Sequence, residues 1–327
     1  MDTDLPNLRD AIALHVRAML AKRCTPRSVA TLLEETDRHL EDWMERDLAS
    51  LRRHEVALRH ERITAERGPY VANRVMQQFR AVWNTAARRF EELPQVAPTV
   101  AVTMNRTERR REPIPWDELP AWRAAVARLR NPVRRDLQSF LLLTGLRSLD
   151  ARTVRWSDVA FEHVATEVGE SVRATLHRPS PKGGARRAFT VPVADAVAAL
   201  LQRRRAQNAE LFDGGDGGWV FPTRDRVGRV THVQEPKQQR TVRRADGSSA
   251  KVRHLPSPHR LRDTFATAAH EVGVSPLDLK VLLNHALPAA DDVTAGYIRP
   301  SEGHLRESVE RIARFLEERL GGVGTRR

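Results

Sequence analysis

The sequence predicts an α+β protein: an all-helical N-terminal domain, then a mainly helical second domain that carries a small antiparallel sheet. Three observations predict it. Apolar residues recur at helical spacing through residues 7–91, a proline-rich and arginine-rich stretch interrupts the pattern at 93–116, and short alternating segments then flank a Pro-Lys-Gly-Gly turn.

In the first part, Ala11, Leu14, Val16 and Leu20 recur at helical spacing, followed by Val29, Leu32, Leu33 and Leu40. Val75, Phe79, Val82 and Trp83 repeat the pattern between Val71 and Phe90. Gly and Pro are sparse here, so residues 7–91 are expected to be almost wholly helical. Pro94, Pro98, Pro113 and Pro115 forbid continuous helix, and Arg106 to Arg111 is densely basic. The expected boundaries are a helical domain at 1–93, a linker at 94–116 and a second domain at 117–327.

In the second domain helices are expected at Asp117–Arg130 and at Val133–Leu143, the latter stopped by Gly145. Ser171–His177 and Ala188–Val193 alternate as strands around Pro181-Lys182-Gly183-Gly184, and Trp219–Phe221 reads as a third strand. Helices resume at Ala194–Arg205, His259–Val272, Pro276–Asn284 and Ala289–Ile298, and a charged amphipathic helix covers His304–Leu320. Thr223–Pro258 is polar and rich in Lys, Arg and Gln, as an irregular loop or a long hairpin insertion would be.

Composition narrows the function. Of 327 residues, 55 are Lys or Arg against 42 Asp or Glu, a formal charge of +13. Such a surplus attracts polyanions, nucleic acid above all. A single cysteine, Cys24, excludes an internal disulfide and any multi-cysteine zinc site. The first residues include Asp2 and Asp4 and lack a basic, apolar leader, and no apolar run suffices to span a bilayer. A cytoplasmic protein with no membrane partner is expected. No Gly-x-x-x-x-Gly-Lys-[Ser/Thr] loop occurs, His54-Glu55 lacks the second histidine of a zinc-protease helix (Leu58 stands there), and no Gly-x-Ser-x-Gly elbow is present.

The chemistry centres on His259-Arg260-Leu261-Arg262. Three residues apart on a helix, His259 and Arg262 project together, and an imidazole beside a guanidinium suits phosphate chemistry. Upstream lies Leu143-Thr144-Gly145-Leu146-Arg147-Ser148-Leu149-Asp150; downstream lie Leu282-Leu283-Asn284-His285 and Thr294-Ala295-Gly296-Tyr297. These four elements, in this order, resemble the catalytic domain of tyrosine recombinases such as phage integrases, over roughly Trp116 to Leu320. The helical half resembles that family's core-binding domain, most clearly from Ala72-Asn73-Arg74 to Trp83-Asn84-Thr85-Ala86.

The resemblance implies a site-specific DNA recombinase that cuts and rejoins strands through a 3′-phosphotyrosyl intermediate, with no metal, ATP or other cofactor. It assigns Arg147 and Arg262 to the scissile phosphate, Asp150 to bracing the first arginine, and Lys182 to protonating the departing 5′ oxygen. His259 becomes a general acid/base, His285 a second donor and Tyr297 the nucleophile. Each has a structural alternative: helix-end residues for Arg147 and His285, a plain helix acid for Asp150, an ordinary turn lysine for Lys182, a solvated helix face for His259 and Arg262, a core aromatic for Tyr297. Asn73, Arg74, Arg80, Arg88 and Arg89 are candidate contacts to double-stranded DNA.

The apolar stripe Leu305, Val309, Ile312, Phe315 and Leu316 is available to its own domain or to a neighbour, and the family forms tetramers on paired sites through such tails. An accessory directionality factor is a further implied partner. Asn284 departs from the family's usual glycine before the second histidine, a position that tolerates Asn next best. The sequence opens directly in the helical domain, with no preceding arm-binding module, which suggests a simple recombination site. A type IB topoisomerase-like enzyme and a non-catalytic DNA-binding regulator of the same fold are the alternatives.

Overall fold

The computed structural model describes residues 5–108, 112–166, 169–181, 183–213, 215–235, 239–243, 249–253, 255–285 and 298–321. The chain divides into two compact units, Met1–Arg110 and Arg111–Arg327.

Four helices build the first unit: α1 (Leu8–Ala21), α2 (Pro26–Leu40), α3 (Arg53–Arg67) and α4 (Pro69–Ala87). Local chemistry sets their ends. The Asn7 side chain accepts from the Asp10 amide at 2.8 Å to start α1, and Thr25 caps α2 ahead of Pro26. Gly68, at φ +89°, makes the corner between α3 and α4, where a side chain would be strained. Apolar faces meet in a core of Leu8, Leu32, Leu40, Val56, Ile63, Met76, Phe79 and Trp83, with Trp43 edge-on to Phe79. Residues 41–52, expected to be helical, instead form two short 3₁₀ turns, Glu41–Trp43 and Leu48–Ser50, that bury Trp43 and Leu48.

The segment expected as a linker, 94–116, is tied down at both ends. Its first part belongs to the helical unit: Trp83 Nε1 donates to the Pro94 carbonyl at 2.9 Å, and Arg80 Nε to Thr99 Oγ1 at 3.0 Å. Asn105 is held by Asn73 through its amide N (2.9 Å) and its carbonyl (2.8 Å). The last part belongs to the second unit, where the Ile114 amide donates to Thr264 Oγ1 at 2.8 Å. Prolines break the helix here, but buried backbone still needs partners, and it finds them on the flanking domains.

The second unit contains α5 (Leu119–Ala127), α6 (Pro132–Thr144), α7 (Ser148–Arg152), β1 (Val159–Thr166), β2 (Gly169–Arg178), β3 (Phe189–Val193) and α8 (Asp195–Leu211). After them come β4 (Pro222–Arg224), β5 (Val230–His232), β6 (Gln239–Arg243), β7 (Ser249–Arg253), α9 (Pro258–Glu271), α10 (Pro276–Leu282) and, among the described residues, a last helix, here α11 (Glu302–Arg319). Strands β1, β2 and β3 form an antiparallel sheet in that order, with Val159 opposite Leu176 and Leu176 opposite Val191.

Three expectations change here. Strand β1 was not anticipated. Trp219–Phe221 is not a strand: Trp219 makes one isolated bridge to Arg155, and the ladder starts at Pro222. The polar insertion resolves into two antiparallel hairpins, β4–β5 and β6–β7. Most of the helix expected at Ala289–Ile298 lies outside the described residues.

Helices α6, α8, α9 and α11 enclose a core of Phe140, Leu141, Leu201, Phe221, Leu261, Phe265, Ile312 and Leu316. The stripe on α11 therefore packs on its own domain. Leu305, Val309, Ile312 and Leu316 are each no more than 5% exposed, and Phe315 stacks edge-on against Trp116 at 5.1 Å. Glu310 fastens the same helix by accepting from the Asp195 amide at 2.8 Å, where α8 begins. Among the described residues, no helix is long and apolar enough to cross a membrane.

Candidate active site

The site starts where α6 stops. Gly145 adopts φ +61° and closes the helix by donating its N–H to the Leu141 carbonyl at 3.0 Å. Only glycine fits: a Cβ would lie 2.5 Å from Cδ1 of Phe265 on α9 and 2.9 Å from a Leu283 methyl. This close approach leaves the Gly145 carbonyl facing α9. Two residues later Arg147 sits at the N-cap of α7, half-buried, with Nη2 3.4 Å from the Asn284 carbonyl and Nη1 3.9 Å from Asp150 Oδ2.

On α9, Ser257 caps the helix and Pro258 begins it. Arg262 points inward and is 5% exposed. Its Nη1 donates to the Gly145 carbonyl at 2.7 Å, and its Nη2 donates to the Leu283 carbonyl and to His285 Nε2, each at 2.8 Å. The planar fork thus joins the end of α6, the end of α10 and the second histidine. Burial, and then the nearby charge of Arg147, push the Arg262 guanidinium down to about 10, with Asp150 and Asp263 opposing. It remains charged at neutral pH.

His285 follows a helix stop built on Asn284, whose φ is +47°. The His285 amide donates to the Lys280 carbonyl at 2.9 Å and the Asn284 amide to Val281 at 3.0 Å, a Schellman-type closure. Asp150 is buried, on α7 beside Arg147. His259 stays at the surface, its side chain 67% exposed and Nε2 4.0 Å from Asp263 Oδ1. The shared face expected of His259 and Arg262 thus splits into an outer imidazole and an inner guanidinium. Lys182 and Tyr297 lie outside the described residues.

Arg147, Asp150, Arg262 and His285 therefore converge. Two cations held this close repel each other, so the arrangement favours an anion that can accept from both. Sequence reasoning missed the support beneath them. Arg178, at the end of β2, is buried against Asp158 (2.5 Å) and donates to Thr153 Oγ1 (2.7 Å), tying the strand to the residue that follows α7. Those partners lie 20 and 25 residues away, and no local pattern signals such a pair.

The candidates in the helical unit separate. Asn73 is 9% exposed and its amide is spent on Asn105 and on His60 Nε2 (3.0 Å), so it holds the fold. Arg74 is ion-paired with Glu35. Arg80 reaches Thr99 from an exposed position, while Arg88 and Arg89 are exposed at the end of α4.

The phage integrase family model matches residues 124–302, more than half of the sequence, and the chain belongs to that family. Prophage integrase IntF of Escherichia coli (strain K12) is 27% identical over 158 residues, 48% of this chain and 29% of that protein. Tyrosine recombinase XerA of Pyrococcus furiosus is 29% identical over 192 residues, 58% of each chain. The chain thus spans between about a third and three-fifths of the length of these curated relatives.

Among solved structures, a lambda integrase tetramer bound to a Holliday junction superposes with a TM-score of 0.60 at 15% identity, covering 89% of this chain and 81% of that one. The Tn1549 transposon integrase in complex with a circular intermediate DNA gives 0.57 at 15% identity, covering 93% and 99%. At that identity the likeness establishes the α+β fold.

Proposed function

We propose that this protein is a site-specific DNA recombinase, an integrase of a phage or another mobile element, which cleaves and rejoins DNA through a 3′-phosphotyrosyl intermediate. One observation carries the reading. Arg262 is buried against the carbonyls of Gly145 and Leu283 with Arg147 close enough to depress its pKa, an arrangement that an incoming phosphate would relieve.

In this mechanism the guanidinium groups of Arg147 and Arg262 bind the non-bridging oxygens of the scissile phosphate, and Asp150 orients Arg147. Attack concentrates negative charge on those oxygens, and one preorganised donor there contributes about 3 kcal/mol. The hydroxyl of Tyr297 attacks phosphorus. A free phenol ionises near pH 10, so the same cations favour its phenolate, and His259 is the group suited to taking the proton. The P–O5′ bond breaks, and the departing oxygen takes a proton from Lys182. His285 donates to the phosphate. The phosphotyrosine conserves the bond energy, so rejoining by the 5′ hydroxyl of the partner strand needs no nucleotide.

The substrate in this proposal is double-stranded DNA, bound by the helical unit and the catalytic unit and assembled as a tetramer on paired sites, with an accessory protein setting direction. Exposed Arg88 and Arg89 are the favoured phosphate contacts of the helical unit, and Arg74 and Asn73 are set aside because the fold uses them. The test uses nicked suicide duplexes tiled across the DNA flanking the gene. A covalent adduct with the native protein and none with Tyr297→Phe is expected; adducts with both proteins would overturn the nucleophile, and none with either would overturn the function.

A further inference from the structure

Asn284 stands where relatives of this fold are expected to carry glycine, and its side chain spans two elements. Nδ2 donates to the Arg187 carbonyl at 3.1 Å, in the turn joining β2 to β3. Its own carbonyl accepts from Arg147 Nη2 at 3.4 Å. One residue thus touches both Arg147 and the turn between β2 and β3.

Backbone geometry does not account for the asparagine. At φ +47° a glycine would be at least as comfortable, and it would keep the carbonyl that Arg147 uses. What the asparagine adds is the amide N–H on Arg187. That contact acts on the turn at a useful place. The Arg187 amide donates to the Gly184 carbonyl at 3.0 Å, and the Arg187 stem covers Gly183 so closely that a Cβ there would meet Cδ at 2.7 Å. Holding the Arg187 carbonyl therefore holds Gly183 and Gly184, the two residues that follow Lys182 in sequence.

We propose that Asn284 is a positioning residue for protonation of the leaving group: its side-chain amide sets the β2–β3 turn relative to Arg147, and hence Lys182 relative to the bound phosphate. The inference rests on the recombinase reading for its chemistry and on the Asn284–Arg187 hydrogen bond for its geometry.

Asn284→Gly tests it, because the variant keeps the backbone conformation and removes only the amide. Native protein and variant are compared on suicide duplexes whose scissile linkage carries either the ordinary 5′ oxygen or a bridging 5′ sulfur, which departs as a thiolate without needing a proton. With oxygen the variant should form adduct roughly five- to tenfold more slowly, about 1–1.4 kcal/mol in barrier, while DNA affinity and melting temperature do not fall. With sulfur the two rates should converge. Equal rates on the oxygen substrate, or a gap that persists on the sulfur one, would overturn the proposal.

Hydrogen exchange on the free protein supplies an arm independent of any DNA site. The amides of Gly184 and Arg187 should exchange faster in the variant, with α9 unchanged; unaltered exchange would show that Asn284 does not hold the turn. Absence of adduct with the native protein on every duplex would instead sink the recombinase reading, and the exchange result would still decide the geometry.

Discussion

Arg262 donates to Nε2 of His285 across 2.8 Å, so in the resting site that ring nitrogen is an acceptor. A histidine that is to donate to a phosphate through Nε2 must therefore gain a proton or turn its ring when the phosphate arrives. Arg262 meanwhile spends both terminal nitrogens on protein acceptors, whereas Arg147 makes one long contact of 3.4 Å and a loose ion pair. The two arginines share a proposed task but carry different structural loads.

Arg147→Ala should leave folding within about 1 kcal/mol of native while slowing strand cleavage roughly 100- to 1,000-fold. Arg262→Ala should lose cleavage as well and also destabilise the catalytic unit by about 2–4 kcal/mol, because two buried carbonyls lose their donor. Urea melts beside adduct assays measure both. Equal stability losses for the two variants would contradict this division.

Inorganic sulfate or phosphate should raise the melting temperature of the native protein, since an anion shared by Arg147 and Arg262 binds only the folded state. At an anion concentration of 100 times its dissociation constant the gain is about 2.7 kcal/mol. Arg147→Ala should lose most of that gain at matched ionic strength. A rise of the same size in the variant would point to general salt effects instead.

Gly145→Ala should be among the most damaging small substitutions. The new methyl meets Phe265 at 2.5 Å on a backbone already at φ +61°. Overpacking and left-handed strain together cost about 2–4 kcal/mol. Because the Gly145 carbonyl seats Arg262, adduct formation should fall further than stability alone explains, as measured under conditions where the variant remains folded.

Truncation after Pro300 should unfold the catalytic unit. It removes Leu305, Val309, Ile312 and Leu316 from the core, and each fully buried aliphatic side chain is worth about 1.5–3 kcal/mol. Their sum rivals the whole stability of an ordinary domain. Loss of near-UV circular dichroism together with DNA binding is expected; a folded, binding-competent truncation would show that α11 is dispensable.

The helical unit should weaken as pH falls below about 6.5. Burial, and then Lys22, lower the pKa of His15, which lies 2.6 Å from Thr85 Oγ1 between α1 and α4. The unfolded chain then binds more protons than the folded one in that range, so the stabilisation is complete above the ordinary histidine value and is lost as pH drops through the lowered one. His15→Gln should flatten the dependence in urea melts at pH 7.5, 6.5 and 5.5. Parallel curves for the two proteins would refute it.

Local signals made much of this legible. Helical periodicity outlined α1 to α4, Gly145 marked the end of α6, and the Pro-Lys-Gly-Gly turn separated β2 from β3. Arg147, Asp150 and His285 were singled out by the resemblance of their motifs to those of tyrosine recombinases, and Arg262 also by its spacing from His259. What escaped depends on partners far along the chain. Strand β1 acquires its identity from β2, since strand preference is largely a matter of neighbours. Asn73 looks like a surface amide until Asn105, 32 residues later, folds onto it. His259 and Arg262 share a helical face by spacing, yet only packing decides that one is sunk and the other stands outside.

The grip of α4 on the segment beyond it changes where the helical unit can be cut. A fragment ending at residue 93 would strip away Ala97 and Thr99, both almost sealed from solvent, and would leave the Trp83 indole and the Asn73 amide without their acceptors. Such a piece should be sticky and poorly folded, and weak binding by it would be misread as a feeble DNA-contacting surface. A version of this half that keeps these partners runs through Asn105.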